Sequence, residues 1–176
     1  MIDVLGADVI IAGTQTEAER RQGDARERFA ALEPIARYAV FHKWTDEKMA
    51  TVIRKAPGFA RVAEAFREEE TYHGQSIWTP VLGNRRGHFL HQLRSYALVL
   101  ALLRDHEAAR RAQYTRVVFS RLELVWLAPH PPLHLLSPSL LWVPVGAPRM
   151  NDRHVVMNRS QAEIWLGRWS PSHPEP

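Results

Sequence analysis

The chain of 176 residues contains no cysteine. A disulfide framework, a thiolate metal site and a cysteine nucleophile are therefore excluded. Long apolar runs are also lacking: the longest, residues 96–103, is shorter than the ~18 residues of a membrane-spanning helix and lies between Arg94 and Arg104. We interpret it as part of a buried helix. Acidic side chains near Met1 replace the basic start of a signal peptide, so none is predicted.

What remains is the composition of an ordinary globular protein. Apolar residues make up 45% and charged residues 24%, close to the averages of about 45–50% and about 25% for folded domains. We expect a single domain over residues 1–170, since no repeat or linker divides the chain. The proline-rich residues 171–176 are expected to form a frayed tail.

Positive charge is in excess but scattered. The net charge is +4; residues 1–70 carry 11 basic and 13 acidic side chains, and residues 71–176 carry 12 and 6. The basic residues of the second half are mostly isolated, without the interleaved aromatics of a nucleic-acid surface. A basic nucleic-acid-binding domain is disfavoured, and a small phosphorylated ligand fits the distribution at least as well.

Strand and helix patterns alternate along the chain. Short β-branched or apolar runs predict strands over 7–12, 37–42, 115–119, 140–145 and 154–157. Helices are predicted after Thr16 and Thr45, over 59–70 and 88–111, and after a capping box of Ser160 and Glu163. Residues 71–87 are predicted to be a loop, in which Trp78 is a candidate for stacking on a sugar. The alternation favours an α/β fold with a mostly parallel sheet and helices on its faces.

Arg121 and Glu123 form the first candidate site. They follow the predicted strand 115–119 and stand two residues apart, on one side of an extended chain. An arginine can bind phosphate oxygens, and a carboxylate can hold a divalent cation that bridges phosphates. An ordinary surface ion pair at the end of a strand gives the same spacing.

Asn151, Asp152 and Arg153 form the second candidate site, between two predicted strands. An aspartate in a loop can act as a base or lie near a metal ion, with the neighbouring side chains as donors. The alternative is an Asx turn that leads into the strand. His130 and His134, in a proline-rich loop, are expected to be exposed.

The order of these features resembles a family of GT-A type nucleotide-diphospho-sugar glycosyltransferases whose substrates are largely uncharacterised. The similarity lies in the long helix with Gln92, the block over 114–129, a strand that ends in Val-Pro, and the block over 151–157 before a helix. It implies a Rossmann-like, mostly parallel sheet with helices on both faces. It also implies that the first strand of the family is missing, as expected of a truncated or degenerate member.

The resemblance implies a hexosyltransferase-like activity and a role for each candidate residue. Asp152 and Arg121 would be catalytic, and Arg121, Arg153 and Asn151 would bind the nucleotide-sugar donor. Glu123, where the family has aspartate, would hold Mn²⁺ or Mg²⁺. The partners would be that donor and a glycan or protein acceptor.

Two further expectations follow from the resemblance. The resemblance implies a location in the secretory pathway, in the Golgi or the endoplasmic reticulum. If the chain is complete as given, the expected location is the cytoplasm. The alternative function is a catalytically silent domain of the same fold that binds a glycan, a phosphate or a protein.

Overall fold

The computed structural model describes residues 7–21, 23, 36–60, 88–121, 124–125, 127–145 and 152–169. The strands among them are β1 Val9–Gln15, β2 Ala36–His42, β3 Arg116–Ser120 and β4 His154–Asn158. The helices are α1 Glu17–Arg21, α2 Asp46–Lys55, α3 His88–Arg110 and α4 Arg159–Leu166, with a 3-10 turn at Leu133–Leu135. The predicted loop over 71–87, the tail over 171–176 and most of the predicted helix over 59–70 lie outside the described residues.

The first two strands pair in parallel. β1 and β2 are in register from Val9 opposite Ala36 to Gln15 opposite His42. The sequence predicted that β1 ends at Gly13, but the strand continues to Gln15. It continues because its pairing with β2 extends through Gly13 to Gln15 opposite His42. The long helix α3 packs against β1, as expected for a helix that covers one face of a sheet.

The last two strands pair antiparallel. β3 and β4 are in register from Arg116 opposite Asn158 to Ser120 opposite His154. On the other side of β4, Trp142 and Val156 exchange two backbone hydrogen bonds of 2.9 Å. The strand predicted over 140–145 is wrong, because this pairing with β4 is an isolated bridge that does not continue to the neighbouring residues. The α/β class is confirmed, whereas a Rossmann-like, mostly parallel sheet is not: the described strands form one parallel and one antiparallel pair.

Of the helix caps predicted within the described residues, two are confirmed and one is wrong. Thr16 Oγ1 accepts the Glu19 amide hydrogen, and Glu19 accepts the Thr16 amide hydrogen in return, at 3.2 and 2.7 Å. Thr45 caps α2 by accepting from the Lys48 amide. The prediction that Ser160 caps the last helix is wrong, because Asn158 forms the capping box with Gln161 and the helix begins at Arg159.

Two core clusters lie along α3. The first centres on Tyr96, Leu100 and Leu103, packed against β4 and α4, and the second centres on Trp44 and α2. Leu93 of α3 contacts both clusters. In the described part of the chain, no helix combines the length and the apolar content needed to cross a membrane.

Candidate functional site

The antiparallel pairing of β3 and β4 brings two of the predicted site blocks together. Arg121 directly follows β3, and Arg153 directly precedes β4. The Arg121 amide donates a hydrogen bond to the Arg153 carbonyl at 2.9 Å, which extends the ladder by one pair. Asp152 lies next to this bond, exposed to solvent. The structure therefore brings Arg121, Asp152 and Arg153 to one end of the strand pair.

The long helix adds a polar pair to this end of the strands. The Gln92 side-chain amide donates to the Tyr96 hydroxyl and, at 3.5 Å, to Asp152 Oδ2. One turn of helix separates Gln92 from Tyr96, so both side chains lie on the same face of α3. Gln92 thus connects α3 to the loop before β4.

Tyr96 is buried although its hydroxyl is polar. Its ring is 4% exposed and meets the Phe119 ring edge-to-face, with centroids 4.9 Å apart. Burial is the main reason why the pKa of Tyr96 is raised; the negative charge of Asp152 also raises it, and Gln92, Arg168 and Arg121 act in the opposite direction. The phenol is therefore protonated at neutral pH and can donate a hydrogen bond.

Arg168 is a site neighbour that the sequence reasoning missed. It follows α4, and its guanidinium lies over the rings of Trp165 at 4.3 Å and Tyr96 at 5.4 Å. Its Nε also donates to the Trp165 carbonyl at 2.8 Å. The spacing of three between Trp165 and Arg168 is the only signal in the sequence, and it is common on helices. Three arginines, at positions 121, 153 and 168, thus belong to the surroundings of Asp152 and Tyr96.

A charged network fixes α4 behind the strand pair. Arg159 Nε bonds both oxygens of the buried Glu107 carboxylate at 2.8 and 2.9 Å. The same carboxylate accepts from the Tyr114 amide at 2.9 Å. These donors lower the pKa of Glu107, and the hydrogen bonds from Arg159 have the largest effect. Because α3 carries Glu107 and α4 carries Arg159, the pair holds α4 against the helix that presents Gln92 and Tyr96.

The position of His130 differs from the predicted one. It was expected to be exposed, yet it is buried against His154, with the two Nε2 atoms 3.2 Å apart. The partner ring lies 24 residues further along the chain, at the start of β4, which no local pattern indicates. His134 of the same loop is exposed, as expected.

The remaining predicted site residues, Glu123 and Asn151, lie outside the described residues. The described portion of the chain contains no group of three or more histidine, aspartate or glutamate side chains that could hold a metal ion. The metal assigned to Glu123 therefore stays a prediction.

No family model, curated protein or solved structure matches the chain. The resemblance to GT-A type glycosyltransferases accordingly stays a prediction from the two sequence blocks.

Proposed function

We propose that this protein transfers a sugar from a nucleotide-diphosphate donor to an acceptor hydroxyl on a glycan or protein. The observation that carries the proposal is the convergence of the two sequence blocks: the Arg121–Arg153 backbone bond places a cation and the Asp152 carboxylate at one end of the β3–β4 pair. The parallel pairing of β1 and β2 supports a GT-A-like sheet as part of the same proposal.

In the proposed reaction, the acceptor oxygen forms a bond to the anomeric carbon while the bond from that carbon to the diphosphate oxygen breaks. The acceptor proton passes to the Asp152 carboxylate, which accepts a hydrogen bond from Gln92. A carboxylate within hydrogen-bonding reach of a hydroxyl can act as its general base.

The leaving diphosphate gains negative charge, and cations stabilise it. Arg121 and Arg153 would bind its oxygens, since a guanidinium matches phosphate geometry with two parallel hydrogen bonds. Asn151 would add an amide donor to the nucleotide-sugar. The protonated Tyr96 hydroxyl is a further donor at the same end of the strands.

A divalent cation at Glu123 would supply additional positive charge to the diphosphate when bound. Carboxylate oxygen is a suitable ligand type for Mn²⁺ or Mg²⁺. Glu123 lies outside the described residues. The proposed proton transfer and anion binding depend on Asp152 and the arginines alone.

Calorimetry with UDP- and GDP-sugars in the presence of Mn²⁺ tests the proposal. We expect saturable binding, weakened tenfold or more in Arg121→Ala, because a charge-assisted hydrogen bond contributes about 1.5–3 kcal/mol. The matched control is Arg21→Ala, whose guanidinium pairs with Glu17 on the surface of α1 and which should bind like the wild type.

Two results would contradict the proposal. Well-folded wild-type protein that binds none of these donors would remove the nucleotide-sugar function. Binding without transfer or hydrolysis of any sugar would instead support the catalytically silent domain.

A further inference from the structure

Charge is missing from one continuous stretch of the sequence. Residues 124–148 contain no lysine, arginine, aspartate or glutamate, although 24% of the whole chain is charged. Half of the 12 prolines of the chain also fall in this stretch. A stretch of such low polarity would be expected to lie in the protein interior.

The apolar side chains of this stretch are nevertheless exposed. Among the described residues, seven of the eight large apolar side chains that are exposed belong to it. They include Leu135 and Leu140, which are 65% and 54% exposed, and also Leu141 and Trp142. These four residues belong to one turn, residues 135–142, which we call the apolar turn. A cluster of exposed apolar side chains marks a surface that binds a partner or a membrane.

The backbone of the apolar turn makes hydrogen bonds that a loop in water does not need. The carbonyl oxygens of residues 136–139 all accept from side chains of the protein, at distances of 2.9 to 3.3 Å. Their donors are, in order, the Arg116 guanidinium, the Trp142 indole, the Asn158 amide and the Gln161 amide. Irregular backbone can enter a region of low polarity only where its polar groups are satisfied within the protein. These four carbonyls meet that condition.

The same hydrogen bonds fix the turn to the folded core. Arg116 lies in β3, Asn158 ends β4 and Gln161 belongs to α4. Three elements thus hold residues 136–139, while Leu135 and Leu140 on either side stay exposed. A surface that is ordered in advance loses little conformational entropy when it binds.

Positive charge accompanies the apolar turn. Residues 71–176 carry 12 basic and 6 acidic side chains. Arg116 hydrogen-bonds the Leu136 carbonyl at 3.1 Å, and its Nε and Nη2 atoms have no hydrogen-bond partner in the described part of the protein. No contacting carboxylate there neutralises its charge. A partner with negative charge therefore suits this surface better than a neutral one.

A second copy of the chain fits the apolar turn less well than a lipid surface does. Protein interfaces form about one hydrogen bond per 100–200 Å². The only polar side chains of the turn are Ser137 and Ser139, whose hydroxyls bond each other at 2.8 Å. Because the carbonyls of 136–139 are engaged as well, the turn offers apolar contact with few groups for directional bonds.

We propose that the apolar turn docks this protein on the surface of a lipid bilayer with anionic headgroups. Leu135 and Leu140 lie at the boundary between headgroups and acyl chains, where apolar side chains leave water. Trp142 is of the residue type that prefers this boundary, and basic residues are attracted to the anionic headgroups. The docking is to one face of the bilayer, and it does not depend on the proposed sugar transfer.

Vesicle flotation of the whole protein tests the proposal. The probes are vesicles of phosphatidylcholine alone and of phosphatidylcholine mixed with phosphatidylserine. We expect the protein to float with the mixed vesicles and more weakly with phosphatidylcholine alone, because the anionic lipid attracts the basic residues. Protein that floats with neither kind of vesicle would overturn the proposal.

Leu135→Asp separates apolar docking from attraction between charges. It should bind the mixed vesicles at least about tenfold more weakly than the wild type, because an apolar contact with the lipid is lost. The matched control is Ala101→Asp, which adds the same charge at an exposed position of α3 and should bind close to the wild type. Equal weakening in the two variants would mean that charge alone causes binding, and the proposal would be wrong.

Leu140→Asp repeats the test on the other side of the turn and decides the question if Leu135→Asp does not fold. Circular dichroism checks the fold of each variant. Sedimentation of the same samples tests the competing occupant. A wild-type dimer that both variants dissociate, with flotation unchanged, would assign the apolar turn to a second copy of the chain and overturn lipid docking.

Discussion

At the scale of single residues, the groups in contact with a buried ionisable side chain decide whether its charged or its neutral form is favoured. These groups can lie far away in the sequence. Glu107 and His154 are both buried ionisable groups, but their surroundings have opposite effects. Glu107 gains hydrogen bonds from Arg159 and from the Tyr114 amide, which favour its charged form. His154 meets another imidazole and low polarity, which favour its neutral form. A glutamate or a histidine exposed on the surface would lack these surroundings, and neither form would be favoured in this way.

Glu107→Gln should strongly destabilise the protein. The variant leaves Arg159, a mostly buried cation, without its carboxylate partner in α3, although Glu163 still bonds it at 2.7 Å. Breaking one partner of a buried pair costs about 3–5 kcal/mol, and we expect about 2–4 kcal/mol here because Glu163 remains. Urea denaturation followed by circular dichroism measures it.

The control for Glu107 is Glu17→Gln, which removes an exposed carboxylate from the Glu17–Arg21 pair. Exposed pairs contribute about 0–1 kcal/mol, so this variant should unfold close to the wild type. Equal losses in the two variants would show that the Glu107–Arg159 pair does not stabilise the fold.

The Glu107 contribution should depend on pH. The pKa of Glu107 is lowered in the folded protein, so its stabilising effect is present above the ordinary pKa of 4.5 and is lost as the pH falls through the lowered value. The stability difference between wild type and Glu107→Gln should therefore shrink below pH 4.5, in denaturation curves measured from pH 7 to 3. A difference that grows in acid would contradict this sign.

At the scale of elements, the sequence predicts the existence of helices and strands better than their ends and partners. The apolar runs at 37–42 and 154–157 locate β2 and β4 closely. Their direction is not encoded in such runs, since parallel and antiparallel strands can both be apolar when buried. β3 and β4 therefore proved antiparallel where a mostly parallel sheet was expected.

The cap of α4 shows the same limit at a helix end. Ser160 and Glu163 have the spacing of a capping box, but Asn158 and Gln161 have a comparable spacing two residues earlier. Asn158 forms the cap because β4 ends there and its side chain also donates to the Pro138 carbonyl at 2.9 Å. Only the tertiary contact distinguishes the two candidates.

Asn158→Ala should destabilise the protein by about 1–2 kcal/mol. It removes the side-chain oxygen that accepts from the Gln161 amide at 2.8 Å, and loss of an N-cap typically costs about 1 kcal/mol. Ser160→Ala is the matched comparison, because Ser160 only donates to the Asn158 oxygen. If chemical denaturation showed the larger loss in Ser160→Ala, the assignment of the cap would be wrong.

At the scale of the whole molecule, one helix joins the two core clusters. α3 supplies Leu90 to the cluster around Trp44, and Leu100 and Leu103 to the cluster against β4 and α4. It also presents Gln92 and Tyr96 to the candidate site. The sequence predicted this helix, and Gln92 is part of the resemblance that it carries. The sequence did not predict that Tyr96 and Arg168 would join Arg121 and Asp152, because that convergence depends on how separate elements pack.

The clusters should unfold together. Because Leu93 contacts both, we expect one transition that coincides in tryptophan fluorescence and far-ultraviolet circular dichroism, the behaviour of a single cooperative domain. Leu100→Ala, which truncates a buried side chain of the first cluster, should lower the midpoint of both signals equally, at a cost of about 2–5 kcal/mol. Two separated transitions would contradict the single domain expected from the composition.

The register of β3 against β4 has a consequence for how this site can change during evolution. Because Ser120 pairs with His154, the positions of Arg121 and Asp152 are set by the ladder and not by the chain that connects them. A slip of one residue would turn the buried Val155 and Met157 to the opposite face. Insertions and deletions in the exposed stretches between Arg121 and Asp152 can therefore accumulate while the ladder keeps the two residues at the same end of the strand pair, whereas His130 and Trp142 are constrained by their contacts with β4.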